Sequence, residues 1–180
     1  MYALLVGIDD YPGLPLRGCV NDAREAENWL RSRSAPATRI RTLYDAEASR
    51  AAVLAGLAEH LGDSGPGDTA LPWFSGHGSQ SPTADPGEAT GWSRALVCHD
   101  SLMPGGQPVL WDTELGALLD GIAARGTHVV AVLDCCHSGG ATRQDAAGPP
   151  GAAVRGVPWQ PWWHTASGRP SPPATPRADV

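Results

Sequence analysis

Two short stretches carry side chains that could do covalent chemistry together. Ser75-Gly76-His77-Gly78 follows one apolar run, and Asp134-Cys135-Cys136-His137-Ser138-Gly139-Gly140 follows another. A thiol at its ordinary pKa of ~8.5 is only a few per cent ionised at neutral pH. It becomes an effective nucleophile when an imidazole takes its proton and later protonates a departing amine. Glycines beside both residues let a peptide backbone approach and leave amide N–H groups free for a developing oxyanion. Those donors are assigned to the amides of Gly78 and Cys136. Either residue alone has a plainer reading, the thiol as a packing group and the histidine as a partner for a carbonyl. Together, at the ends of separate apolar runs, they point to a Cys–His pair. Zinc is the other option for Cys135, Cys136 and His137, but adjacent ligands lack the gap of about two to four residues of a tetrahedral site, and no second pair completes one. There is no phosphate-binding G-x-x-x-x-G-K-[ST] loop, no G-x-G-x-x-G turn and no EF-hand spacing, so nucleotide binding and a standard calcium loop lack support.

The elements that must position these groups read as an α/β chain. Tyr2 to Ile8 is a continuous apolar run ending in Asp9, Asp10 and a turn, which suits a strand buried on both faces. Asn21 or Asp22 caps a helix with Ala23, Ala26, Trp29 and Leu30 at helical spacing. Ile40–Tyr44 reads as a second strand. Ser49 caps the next helix, with Leu54, Leu57, Ala58 and Leu61 on its apolar face. Thr69–Phe74 is a third strand in which Pro72 is awkward, because proline removes a ladder donor. A Gly, Pro and Ser-rich loop follows, then a strand or half-hairpin at Arg94–Asp100. A helix capped by Asp112 or Thr113 carries Leu115, Leu118, Leu119 and Ile122, and a last buried strand runs over His128–Leu133. Strands alternating with helices predict an open parallel sheet with helices on both faces, and such sheets place ligands beyond the carboxyl ends of their strands.

The chain has 180 residues and a formal charge of −6, with 42% hydrophobic and 18% charged residues, as expected of one globular domain. An acidic balance speaks against nucleic acid. No run reaches the ~20 apolar residues of a membrane helix, and the amino terminus does not read as a signal peptide, so a cytoplasmic protein without a membrane partner is expected. Cys19, Cys98, Cys135 and Cys136 are therefore expected as free thiols. Residues 1–140 form the predicted domain. Residues 141–180 hold nearly half of the 17 prolines and read as a disordered or loosely docked tail, in which Trp159, Trp162 and Trp163 could dock on the domain or on a partner.

Five pieces in order, ALLVGID at 3–9, GCVNDA at 18–23, FSGHGS at 74–79, ALVCHD at 95–100 and DCCHSG at 134–139, make Tyr2 to Gly140 resemble the caspase-like cysteine peptidases of family C14. The resemblance is to the large-subunit, p20-like portion of the metacaspase branch. It implies a three-layer caspase-like fold with a mostly parallel open sheet, lacking the C-terminal strands of the full domain. It makes His77 the catalytic histidine and Cys136 the nucleophile of an endopeptidase cutting after Arg or Lys. Asp22 and Asp134 would form an acidic pocket for the basic P1 side chain, with Cys19 and Ser75 nearby; Cys19 reads equally as a packing residue. The chemistry needs no cofactor, and calcium enters only as an activator known in the family. The implied partners are a protein or peptide with a basic P1 residue and a second chain that completes the sheet. The alternative is a truncated or non-catalytic scaffold that binds a partner through its incomplete sheet edge. Arg143 and Arg155, in the glycine-rich stretch after the nucleophile, are candidate self-cleavage points.

Overall fold

A computed structural model describes residues 1–33, 38–83, 88, 90–103, 105–136, 155–160 and 163. Three parallel strands form the centre of the main sheet: β1 (Tyr2–Gly7) lies between β2 (Arg39–Tyr44) and β3 (Thr69–Ser75). Two short parallel segments, β7 (His128–Val129) and β8 (Val132–Asp134), pair with the far side of β3. Helix α1 (Cys19–Arg33) covers one face, where Ala3 and Leu5 meet Ala23 and Leu30. The other face carries α2 (Arg50–Ala55) and α3 (Asp112–Ala123), and the alternate residues Leu4, Val6 and Phe74 point into that larger core. An antiparallel sheet of β4 (Gly78–Pro82), β5 (Trp92–Leu96) and β6 (Leu110–Trp111) closes its end. The result is an α/β fold with a mostly parallel sheet between helical layers. Among the described residues no helix is long and apolar enough to cross a membrane.

Local chemistry explains where the structure departs from expectation. Helix α1 begins at Cys19, earlier than a cap at Asn21 or Asp22 allows. Its first amides are held by a remote residue: Asp9 Oδ1 accepts from Cys19 N–H at 2.9 Å and Oδ2 from Val20 N–H at 3.2 Å. Close packing of this helix on β1 requires glycine at position 7, where a Cβ would lie 2.7 Å from the Cys19 carbonyl oxygen. Ser49 caps α2 through Ala52 N–H at 3.3 Å. The helix then widens into a π turn at Gly56–His60, with Leu61 N–H donating to the Gly56 carbonyl. That turn shifts the phase, so Val53, Leu57 and Leu61 are buried while Ala58 is exposed.

Pro72 breaks the ladder where its missing donor predicts. The Ala70 carbonyl accepts from Val130 N–H at 3.0 Å, so by alternation the Pro72 nitrogen faces the same neighbour and has nothing to donate. The expected strand over His128–Leu133 accordingly splits into β7 and β8. Nor is it buried: Val130 is 40% and Leu133 43% exposed, because among the described residues no strand pairs with its outer side. Trp29, expected on the apolar face of α1, is 60% exposed. Strand β4 was hidden in the expected loop, since Gly-Ser-Gln-Ser-Pro has no apolar alternation.

Candidate active site

The carboxyl ends of β1, β3 and β8 converge because the three strands are parallel and in register, with Gly7 opposite Ser75 and Ser75 opposite Asp134. Of the two acids that end β1, Asp9 serves structure by capping α1. Asp45, at a left-handed φ of 48°, fixes the turn by accepting from the amides of Asp9 and Asp10 at 2.8 and 2.9 Å.

His77 follows β3 and is buried. Its backbone N–H donates to the Tyr11 hydroxyl at 3.1 Å, that hydroxyl donates to the Val97 carbonyl at 2.7 Å, and the two rings pack 4.6 Å apart. A Cβ at Gly76 would lie 2.5 Å from the same hydroxyl, so glycine lets the turn close on Tyr11. His77 Nε2 lies 2.9 Å from the Leu14 carbonyl, an acceptor that fixes the proton on Nε2. Nδ1 is buried without a hydrogen-bond partner among the described residues. Burial lowers the imidazole pKa from 6.5, against the opposing pull of the Leu14 and Arg155 carbonyls. The ring is therefore neutral at pH 7 with a bare Nδ1 lone pair, the form able to accept a thiol proton.

The four cysteines differ sharply in environment, and none forms a disulfide. Burial pushes the Cys98 thiol up to about 12 and the Cys135 thiol up to about 12. Burial, offset in part by Ser75 and Arg155, pushes Cys19 up to about 11. All three stay protonated at neutral pH. Cys135 packs against the main core, whereas Cys136 is exposed, as alternation past β8 requires.

Arg155 brings the remaining residues together. Its guanidinium donates to Asp22 Oδ2 at 2.9 Å, to Ser75 Oγ at 3.0 Å and to Asp134 Oδ2. Ser75 Oγ also donates to Asp134 Oδ2 at 3.1 Å. A planar fork between two carboxylates is the arrangement that favours arginine over a neutral side chain. At the other end of the residue, the Arg155 carbonyl oxygen accepts from Gly78 N–H at 2.8 Å and Cys136 N–H at 3.3 Å. Two convergent amides on one carbonyl oxygen are the geometry that stabilises an oxyanion during acyl transfer. His77, Cys136, Gly78, Asp22, Asp134, Ser75 and Cys19 thus surround one arginine. His137 lies outside the described residues, and no cluster of metal-binding side chains occurs among those described. Composition and spacing did not signal the roles of Tyr11 and Leu14, one of which acts through a distant hydroxyl and the other through a backbone oxygen. Arg155 stood out only as a possible cut.

Residues 2–144 match the family described as Metacaspase, peptidase C14 domain. The chain is 31% identical over 144 residues to Metacaspase-1 of Mycosarcoma maydis, covering 76% of this chain and 35% of that protein. It is 30% identical over 146 residues to Metacaspase-1B of Aspergillus terreus, covering 76% of this chain and 38% of the relative. The chain thus spans about a third of the length of the curated relatives it matches. A solved protein of Geobacter sulfurreducens superposes with a TM-score of 0.68 at 28% identity, over 87% of this chain and 57% of that one. With a family match over most of its length and a fold shared with that neighbour, the chain belongs to the metacaspase peptidases of family C14.

Proposed function

We propose that this chain is a cysteine endopeptidase domain that hydrolyses peptide bonds after Arg or Lys. The observation that carries this reading is the double capture of Arg155, side chain by Asp22, Ser75 and Asp134, carbonyl oxygen by Gly78 and Cys136. In this mechanism Cys136 Sγ gives its proton to His77 Nδ1 and attacks the scissile carbonyl. The two amides hold the oxyanion, and His77 returns the proton to the leaving amine. Water then hydrolyses the thioester. Leu14 keeps the imidazole in the tautomer this sequence of steps needs. Four thiols outside any disulfide suit a reducing, cytoplasmic compartment.

The outer edge of β7 and β8 supports the further reading that a second chain completes the sheet. Beside it a groove of about 880 Å³ is lined by Trp29, Leu71, Trp73, Val130 and Val132, an apolar surface of the kind that marks an interface. The test of the catalytic reading is turnover of a fluorogenic peptide with Arg at P1, for the wild type, Arg155→Ala and Cys136→Ala. Hydrolysis by a Cys136-bearing chain and a loss of at least ~100-fold in Cys136→Ala is expected. Equal turnover with and without the thiol would contradict it.

A further inference from the structure

The groove on the α1 face of the main sheet combines three features that call for an extended occupant. Two indole rings, Trp29 and Trp73, stand in its lining. Of its acids, Asp22 and Asp134 are already paired with Arg155, whereas Glu25 is exposed. Trp73 Nε1–H is buried without a hydrogen-bond partner among the described residues. A donor shielded from water in this way is costly unless an occupant brings it an acceptor.

The chain carries a segment of matching chemistry. Val157 and Trp163 are buried on the filled side of the sheet, and Trp163 Nε1–H donates to the Ser101 carbonyl at 2.7 Å, so the chain beyond position 163 starts from a fixed point. Residues 164–180 lie outside the described residues, and their sequence includes Arg169-Pro170-Ser171-Pro172-Pro173-Ala174-Thr175-Pro176. Proline has no N–H to leave unpaired, keeps its carbonyl as an acceptor and restricts φ. A proline-rich segment therefore loses little freedom when it lies extended against aromatic rings. The six steps from Trp163 to Arg169 span up to roughly 20 Å. A link of that length holds the segment at about millimolar effective concentration, so weak contacts suffice to seat it.

We propose that residues 169–176 of this chain dock in the Trp29–Trp73 groove. The prolines lie on the two indole rings, a backbone carbonyl of the segment accepts from Trp73 Nε1–H, and the Arg169 guanidinium meets the Glu25 carboxylate. The proposal goes beyond the peptidase reading and does not depend on it. It uses the α1 face of the sheet and not the outer backbone edge of β7 and β8. Because Asp22 and Asp134 line this groove and also hold Arg155, the docked segment borders the arginine site without entering it.

Photo-crosslinking of the full chain tests this, with a diazirine-bearing residue in place of Ala174 and Cys136→Ala as the background, so that the result is independent of any peptidase activity. Peptide mapping after irradiation is expected to place the crosslinks on Trp29, Leu71, Trp73 or Val130, within one chain and at a fractional yield unchanged by dilution. Trp29→Ser, which removes one of the two rings from an exposed position, should lower that yield at least ~10-fold. Glu25→Arg should lower it about threefold, and adding Arg169→Glu to Glu25→Arg should restore it, since the charges are then exchanged. Crosslinks absent or elsewhere on the domain, a yield indifferent to Trp29→Ser, or a double variant no better than Glu25→Arg would overturn the proposal. Crosslinks between chains whose yield falls with dilution would overturn it in favour of a second copy as the occupant.

Discussion

The two faces of the main sheet are built to different standards. On one, Leu4, Val6 and Phe74 sit in a continuous core with Leu57, Leu61, Val97, Leu110 and Trp163. On the other, α1 closes a smaller cluster of Ala3, Leu5, Ala23 and Leu30, and leaves Trp73 and Trp29 at an open groove. The site draws on both. His77 and the Gly78 amide are buried on the filled side, beside Tyr11 and Val97, while Asp22 and Asp134 lie at the open side and remain partly exposed. A buried half thus carries His77 and the Gly78 amide, and a half-solvated rim carries Cys136, Asp22 and Asp134, the acids that on the proposed reading select the side chain.

The largest contrast should appear in thiol chemistry. Iodoacetamide at pH 7.5 is expected to modify Cys136 at least ~1000-fold faster than Cys98, which is buried with its thiol pushed up to about 12. Peptide mapping reads the sites, and modification of Cys98 at a similar rate would show that the filled face opens readily. Next, Phe74→Ala is expected to cost about 3–5 kcal/mol in denaturant unfolding, against a change within ~0.5 kcal/mol for Trp29→Ser. Similar losses at the two positions would break the distinction between the faces. Ser49→Ala, which removes the α2 cap at the border of the filled core, should cost about 1 kcal/mol.

The smallest effect concerns pH. Burial lowers the His77 pKa from 6.5, so as pH falls the unfolded chain takes up this proton before the folded one. The corresponding stability is present above about pH 6.5 and is lost as pH falls through the folded-state value. Denaturant midpoints of wild type and His77→Gln measured from pH 7.5 to 5 should show the advantage of the wild type shrinking toward the acid end. The acid limb of peptide turnover should likewise lie below pH 6.5; a limb above it would mean that a carboxylate, and not burial, controls the ring.

What the sequence disclosed follows from which interactions are local. Apolar runs and helical spacing identified β1, β2, β3, α2 and α3, because burial on a sheet or helix face imposes a period on the residues themselves. His77, Gly78 and Cys136 could be named as candidates because they follow apolar runs, whereas Asp22, Asp134, Cys19 and Ser75 were named only through the family resemblance. Periodicity says which face of an element is apolar and nothing about what covers it, which is why Trp29 and Leu133 were expected inside and lie exposed. The start of α1 was misplaced because its cap, Asp9, is ten positions away in the chain. Leu14 contributes a backbone oxygen, which has no sequence signature. Pro72 was recognised as awkward for a central strand, but only the register shows that its cost falls on the β7–β8 side of the ladder and divides that strand in two. The buried packing of Val157 and Trp163 occurs within a Pro-rich stretch without periodicity, where single anchors leave no pattern to read.

The central claim is that two carboxylates and two amides form one arginine-accepting acyl-transfer site. It is tested most directly by the rate at which an arginyl chloromethyl ketone labels Cys136 in the Arg155→Ala chain, against its norleucyl counterpart. Labelling by the arginyl reagent should be at least ~100-fold faster, with most of that preference lost in Asp22→Asn. Equal rates for the two reagents would mean that Asp22 and Asp134 bind Arg155 for structure alone and would contradict the account.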